Sequence, residues 1–544
     1  MTFLRSPLTI VASDAGTTDP TVKITNYDTD AGVIKGVNFG TTTGTVYLLN
    51  RDTHSYVAQT VSAWGDDEIV LDTPIDLSTI EGDTCFFVRT EEGANSNKYM
   101  VYGDVAVTGW GIVYVRNPLT DTIQKLSITS SSEMATLVGT SSYNYFYGKS
   151  ATLDSVTFHT SQIVGVQFGS SVSGYTVPAY FLDGLINLDQ PVVLKRGMTL
   201  NASSSYFMYN CRNFNCPLIL QYPNTQTRFG NYFMGKCYSF NQPIDLSSIT
   251  IWSQTYAFWS CLAFNNELKL TTGLNASSRS FGANFLNNCP SFNQPIEIPS
   301  NCNQILNGFL YGASGFNQPI EFPSSISAIG THFMACCYAF NQPVDLSGTS
   351  ITTSSNYFMY MSRSFNSILK LPTTMTATGT YFLAGITGTS STIYTRDLYG
   401  MSFNQPLDTS KIQTFGNYFM ANQLSFNQPL NLSSATTIGT YFMQNCTSFS
   451  QTITIPSTVT SIGAGFQQNI LTTRRINVET STVPATTALT QTNTTSTNSP
   501  TLINADCPAV TDGVYIYGSK RSGWIDGLPN ASSSPWRNLI DGEA

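Results

Sequence analysis

Tyr232-Phe-Met-Gly-Lys-Cys-Tyr-Ser-Phe-Asn-Gln-Pro-Ile-Asp-Leu246 decides the fold, because versions of it return along most of the chain. Aligned on the phenylalanine before Asn, the block recurs at Phe214, Phe240, Phe264, Phe292, Phe316, Phe340, Phe365, Phe403, Phe426 and Phe449. Leu153 and Leu188 fill that slot in two degenerate copies upstream. The usual interval of 23 to 28 residues belongs to a solenoid, whose coils bury their apolar faces only by stacking on neighbours.

Within the block, an apolar-x-apolar triplet follows the phenylalanine, as in Ile244-Asp-Leu246, Ile296-Glu-Ile298, Ile320-Glu-Phe322, Val344-Asp-Leu346 and Ile453-Thr-Ile455. Alternation over so short a run predicts one half-buried strand per coil, stacked with its equivalents into a parallel sheet. Proline just before the triplet (Pro243, Pro295, Pro319, Pro343, Pro429) suits a strand entry. The Tyr-Phe-Met segment is expected to form a short helical turn or an irregular arc on the opposite side. The recurrent Asn predicts a buried amide ladder, each side chain bonded to the backbone of its own and the next coil. Cys211, Cys237, Cys261, Cys289, Cys337 and Cys446 all lie three residues before the reference Phe. Fixed to one slot, they read as a packed, inert ladder of small hydrophobes, although coils about 4.8 Å apart would also let some pair as disulfides.

Composition narrows the class. Charged residues are only 11% of the 544, against 41% hydrophobic and 12% aromatic, which is ample for a packed core. A thinly spread net charge of −8 carries no nucleic-acid footprint, and no apolar run reaches the length of a membrane span. Three His and scattered carboxylates make no Ser-His-Asp order, no HExxH and no phosphate loop. The cysteines and His54, His159 and His332 show no metal-ligand spacing, so no metal and no cofactor is expected.

Upstream of the repeats, residues 20–106 alternate apolar and polar around turns: Val33-Ile-Lys-Gly-Val-Asn-Phe-Gly40, Gly44-Thr-Val-Tyr-Leu48, Val61-Ser-Ala-Trp-Gly-Asp-Asp-Glu-Ile-Val-Leu71 and Cys85-Phe-Phe-Val-Arg89. Short strands at that spacing predict a β-sandwich. The chain is thus read as mainly β: an N-terminal arm (1–19), the sandwich (20–106), a linker and N-terminal solenoid cap (107–139), a solenoid (140–475) and a C-terminal cap (476–544). Gly513-Val-Tyr-Ile-Tyr-Gly518 is expected to supply a last strand.

Two resemblances follow from these residues. The pattern Tyr-Phe-Met-x-x-Cys-x-Ser-Phe-Asn-Gln-Pro-Ile-Asp-Leu, and the copy running from Ile453 to Phe466, resemble BspA-type leucine-rich repeats of bacterial surface proteins and phage virion proteins. That resemblance covers roughly residues 140–475 and implies a curved, right-handed solenoid with an adhesive or structural role. The Gly36-x-x-Phe39-Gly40 turn, the Trp64-to-Ile69 strand and the Gly93-x-Asn-Ser96-Asn97 ending are similar to an IPT/TIG immunoglobulin-like domain. Such domains are spacers, docking modules or stalk elements.

Two places are candidate sites. Glu297, Glu321 and Asp345 occupy the outward centre of successive triplets and would stack about 4.8 Å apart. That spacing suits a solvated acidic face, a site for a cation or basic partner, or a glycosidase carboxylate pair. The second place breaks the repeat. From Phe382 to Phe403 the chain is longer than in other copies by about 14 residues, spread over 384–400. This insertion carries Tyr394, Arg396 and Tyr399, residue types favoured at interfaces, so it reads either as a tolerated surface loop or as a contact loop.

The expected function is non-enzymatic: a phage virion surface protein (tail fibre, baseplate or capsid decoration) for attachment or recognition. The Ig-like module would dock to other virion proteins. The solenoid would face a host receptor or glycan, with no nucleic acid partner, no membrane insertion, and homo-oligomerisation left open. A bacterial cell-surface adhesin is the alternative, and a solenoid polysaccharide depolymerase the third reading. The start, with one basic residue and a proline-broken apolar stretch, makes a poor secretory signal, which favours the virion surface as location.

Overall fold

A computed structural model describes residues 23–28, 30–37, 39, 41–50, 55–75, 84–89, 99–102, 107, 109–139, 148–195, 197–220, 228–252, 255–276, 279–385, 401–468, 470, 475–478, 501–503 and 515–517. The chain divides into two compact units, Met1–Thr271 and Thr272–Ala544. No α-helix occurs among the described residues, and no helix is long and apolar enough to cross a membrane.

The first unit opens with eight strands: β1 (Lys23–Asp28), β2 (Val33–Val37), β3 (Thr45–Asn50), β4 (Ser55–Gln59), β5 (Val61–Trp64), β6 (Glu68–Leu71), β7 (Thr84–Arg89) and β8 (Tyr99–Tyr102). They make two four-stranded antiparallel sheets, ordered β1-β2-β6-β5 and β4-β3-β7-β8. Inward residues of both sheets meet in one core: Tyr27, Ile34 and Ile69 from one, Val46, Phe86 and Val88 from the other. Phe39 is fully buried there, and its amide donates to Asp66 O (2.9 Å), closing the turn after β2.

Next come β9 (Gly111–Arg116), β10 (Ile123–Ile128), β11 (Ser150–Leu153), β12 (Val156–His159) and β13 (Ile163–Phe168). Strands β10-β9-β13 form an antiparallel sheet, and β11 pairs with β12 in a hairpin. The degenerate copy placed at Leu153 is therefore no coil. Asp154 and Ser155, at φ 48 and 64, reverse the chain in two left-handed residues, the geometry that matches the twist of a hairpin. The antiparallel sheet covers the first coil: Phe168 stacks on Phe181 at 5.8 Å, and Leu182 N donates to Leu137 O (2.7 Å).

The coils confirm a parallel solenoid but carry two ladders. Triplet strands pair in parallel at Val192–Leu194 with Leu218–Leu220, Ile244–Asp245 with Leu268–Lys269, and, in the second unit, Val344–Asp345 with Leu369–Lys370. A second ladder, which the triplets do not announce, precedes the Tyr-Phe-Met slot. It links Ser280–Phe281, Gln304–Ile305 and Ala328–Ile329, and later Thr414–Phe415, Thr437–Ile438 and Ser461–Ile462. Ile296-Glu-Ile298 and Ile320-Glu-Phe322 carry no strand. Prolines bracket both (Pro295 and Pro299, Pro319 and Pro323), removing donors from each end.

Glycine lets the coils close up beside the second ladder. A Cβ on Gly416 would lie 2.3 Å from Gly379 O, and one on Gly439 would lie 2.6 Å from Asn417 N. Past 475 the parallel sheet continues instead of ending. Ile453–Ile455 pairs with Arg475–Val478, then Thr501–Ile503, then Tyr515–Tyr517. The segment expected to cap the solenoid thus extends its ladder, in which one apolar residue per strand (Ile476, Leu502 and Ile516) keeps the register of Ile453 after the rest of the block has faded.

The Tyr-Phe-Met arc is not helical. Alternate residues are left-handed: Tyr232, Met234 and Lys236 at φ 59, 53 and 59, and His332, Met334 and Cys336 at 57, 49 and 60. Each such residue costs about 1–2 kcal/mol. Hydrogen bonds in both directions offset that cost. Tyr232 N and Lys236 N donate to Thr255 O (2.9 Å) and Trp259 O (2.6 Å) of the next coil, and Met234 N to Phe207 O (2.9 Å) of the previous one. A helix would have kept these donors within the turn, where no second coil could use them.

The reference phenylalanines stack inside in register, as in Phe214–Phe240 (5.8 Å, 3°) and Phe340–Phe365 (5.9 Å, 15°). The Asn ladder forms as expected between coils. Asn241 N donates to Asn215 Oδ1, and Asn341 N to Asn317 Oδ1, both at 2.8 Å. These amides are half-buried or exposed, however, and run along the surface instead of through the core.

Candidate interaction surface

Left-handed residues at the start of each arc place a tyrosine column at the surface. In the first unit Tyr180, Tyr206, Tyr232 and Tyr256 stack at 4.6 Å each, with rings within 8° of parallel. In the second, His332, Tyr357, Tyr381, Tyr418 and Tyr441 continue the same slot at 4.4 to 4.9 Å. All these residues are half-buried.

Beside each column lies a second row in which large aromatic residues flank a small one at Gly235 and at Ala335. Tyr209 and Trp259 flank Gly235, and Lys236 Nζ sits 5.4 Å from the Tyr209 ring and 5.0 Å from the Trp259 ring. Any side chain at 235 would press on Tyr209, whose ring lies 3.0 Å from a Cβ there. Burial, and then the nearby Arg212, lower the Lys236 pKa. In the second unit Tyr311 and Tyr360 flank Ala335, while the Arg363 guanidinium lies 4.6 Å over the Tyr338 ring. Tyr311 and Tyr338 are each 37% exposed, whereas Tyr209 is buried. Cation–π contacts of this kind are worth about 0.5–1 kcal/mol at exposed sites, and they hold flat, amphipathic rings in a fixed array. Such a surface is suited to binding through stacking and hydrogen bonds.

Reactive groups in the same coils are held in their neutral forms. Burial pushes the Cys336 thiol up to about 11, the Tyr360 phenol up to about 12, and lowers the pKa of His332. The Cys slot has a use beyond packing. The thiols of Cys211, Cys237 and Cys261 donate to the carbonyls of Leu182, Met208 and Met234 in the previous coil, at 3.0 Å each. Ser362 replaces Cys in one copy and makes the same bond to Met334 O at 2.8 Å. The cysteines of the repeat slot, Cys211, Cys237, Cys261, Cys289, Cys337 and Cys446, are free thiols. No group of three or more metal-ligating side chains occurs among the described residues.

The expected sites fare differently. Glu297, Glu321 and Asp345 are all exposed, but only Asp345 lies on a strand. Asp345 also accepts from Lys370 Nζ (2.7 Å), Ser347 N (3.0 Å) and Ser347 Oγ (2.5 Å), and the Lys370 bond chiefly holds its pKa down to about 2. A carboxylate so engaged suits a charge-alternating face more than an acid/base pair, and Asp245 with Lys269 (3.8 Å) repeats the motif. Tyr394, Arg396 and Tyr399 lie outside the described residues. Around the insertion the coil keeps register: Tyr381 stacks on Tyr418 (4.6 Å) and Phe365 on Phe403 (5.5 Å). The Tyr-Phe-Met pattern marks a turn or arc in the sequence but does not show that its tyrosines stand in columns beside cationic neighbours. The recurrence of Arg or Lys near it (Arg212, Lys236, Arg363) was the available signal.

No family model matches the chain, and no curated protein matches it. Among solved structures it is similar to a leucine-rich repeat protein from Bacteroides ovatus, at 13% identity and TM-score 0.34, over 68% of this chain and 93% of that one. It is also similar to a leucine rich cell surface protein from Faecalibacterium prausnitzii, at 13% identity and TM-score 0.33, over 70% and 97%.

Proposed function

We propose that this chain is a non-enzymatic attachment protein on the surface of a phage virion. In this reading the repeats are of the BspA type and the two N-terminal sheets form an Ig-like module that holds the chain to neighbouring virion proteins. The solenoid carries recognition of a host receptor or glycan. The observation behind it is the regular, half-buried array of tyrosines with Lys236 and Arg363 on the coils, a composition typical of interface anchors. The hydrogen bond of the buried Cys237 thiol to Met208 O and the pairing of Asp345 with Lys370 favour binding over catalysis.

The test is to probe purified particles and bacterial envelopes with an antibody against the solenoid. Labelling of particles, lost when residues 1–106 are deleted, is the expected result. Labelling confined to the envelope would replace the virion by a cell-surface adhesin. Particles that still incorporate the deletion variant would remove the docking role of the N-terminal sheets.

A further inference from the structure

We propose that the tyrosine columns are sites of oxidative cross-linking, in which a haem peroxidase with hydrogen peroxide joins tyrosines of consecutive coils. Tyr232 with Tyr256 in the first unit and Tyr357 with Tyr381 in the second are two such stacked pairs. The argument is geometric. Tyrosyl radicals ordinarily couple only after two rings diffuse together, whereas here the partner is already in contact. Tyr232 and Tyr256 lie 4.6 Å apart between centroids with 3° between planes, and Tyr357 and Tyr381 lie 4.9 Å apart at 12°. Rings so nearly parallel, set in the same slot of successive coils, bring equivalent ring carbons about one centroid spacing apart.

Half-burial leaves the column tyrosines partly at the surface, where the peroxidase can take an electron from them, unlike the phenylalanine columns, which are fully buried and lack a phenol. On oxidation each ring gives up one electron and one phenolic proton. The two radicals form a bond between carbons ortho to oxygen. The hydrogens on those carbons then leave as protons while the oxygens regain theirs, which restores both phenols. The two electrons and two protons lost overall reduce the peroxide to water. The product closes a loop of roughly one coil, and such closures stabilise by restricting the unfolded chain.

The experiment treats the folded full chain with a haem peroxidase and limiting hydrogen peroxide, then digests it for mass spectrometry. The expected products are monomeric chains containing Tyr232–Tyr256 and Tyr357–Tyr381 linked peptides, each lighter by two hydrogens than its parts, with a raised melting temperature. Tyr381→Phe should abolish the links at 381 and leave Tyr232–Tyr256 intact, an internal control within the same sample. Coupling mainly between chains, coupling among tyrosines outside the columns, or radical-trap labelling of column tyrosines without linkage would each overturn the proposal.

Discussion

Cys237→Ala should destabilise the solenoid while Cys237→Ser should leave it close to native. The Cys237 side chain is fully buried, and its thiol donates to Met208 O at 3.0 Å. Met208 is left-handed at φ 51, and its carbonyl is met by the next coil's slot residue. Removing the donor strands a buried carbonyl, at about 1–3 kcal/mol. Losing the sulfur adds about 1 kcal/mol of apolar burial. Alanine should thus cost about 2–4 kcal/mol. Serine keeps the donor and, as Ser362 already does against Met334 O, should cost no more than about 1 kcal/mol. Ala313, the native occupant of this slot in another coil, indicates a graded loss and not collapse. Urea melts followed by circular dichroism would rank the variants, with hydrogen exchange at neighbouring coils as a local readout. Burial raises the Cys237 pKa well above its ordinary value, so the thiol remains a donor and should resist alkylation until the chain unfolds. Equal destabilisation by alanine and serine, or rapid alkylation of the native protein, would refute the hydrogen-bonded role.

Three further outcomes are expected. Burial pushes the Asp183 carboxyl up to about 7, so the native state keeps a proton that the unfolded chain releases near pH 4. Stability should therefore fall as pH rises from about 4 to about 7. Asp183→Asn should gain up to about 4 kcal/mol over the parent at pH 8 and nothing at pH 4, as thermal melts across pH would show. At the left-handed Lys236 (φ 59), glycine should be more stable than alanine by about 1 kcal/mol, the reverse of the helical order, and equal melting temperatures would contradict that strain. Replacing 386–400 by a short Gly-Ser bridge should preserve the melting temperature, because the flanking coils stack in register without it, and should weaken association or adsorption if the insertion is a contact.

Sequence by itself determined the solenoid, its coil length and its inward phenylalanines, because a stacked coil can bury an apolar face only if every copy repeats it in the same slot. The intercoil Asn ladder was also legible, since an amide fixed to one slot of a stacked repeat finds its partner one coil away. Other features depended on neighbours that a single block does not contain. The alternating left-handed residues at Tyr232, Met234 and Lys236 exist because their amides reach carbonyls on two different coils. The thiol of Cys237 reads as a hydrophobe until Met208 of the previous coil turns its carbonyl toward it. The second ladder through Phe281, Ile305 and Ile329, and the extension of the sheet past 475, likewise arise from pairing between strands too short to have a period of their own. Tertiary structure alone decided the surface: only stacking shows that the tyrosines stand as columns with Lys236 and Arg363 against the rings beside them. A residue's slot is written in the chain, but the direction of its peptide is set by the coil above and the coil below.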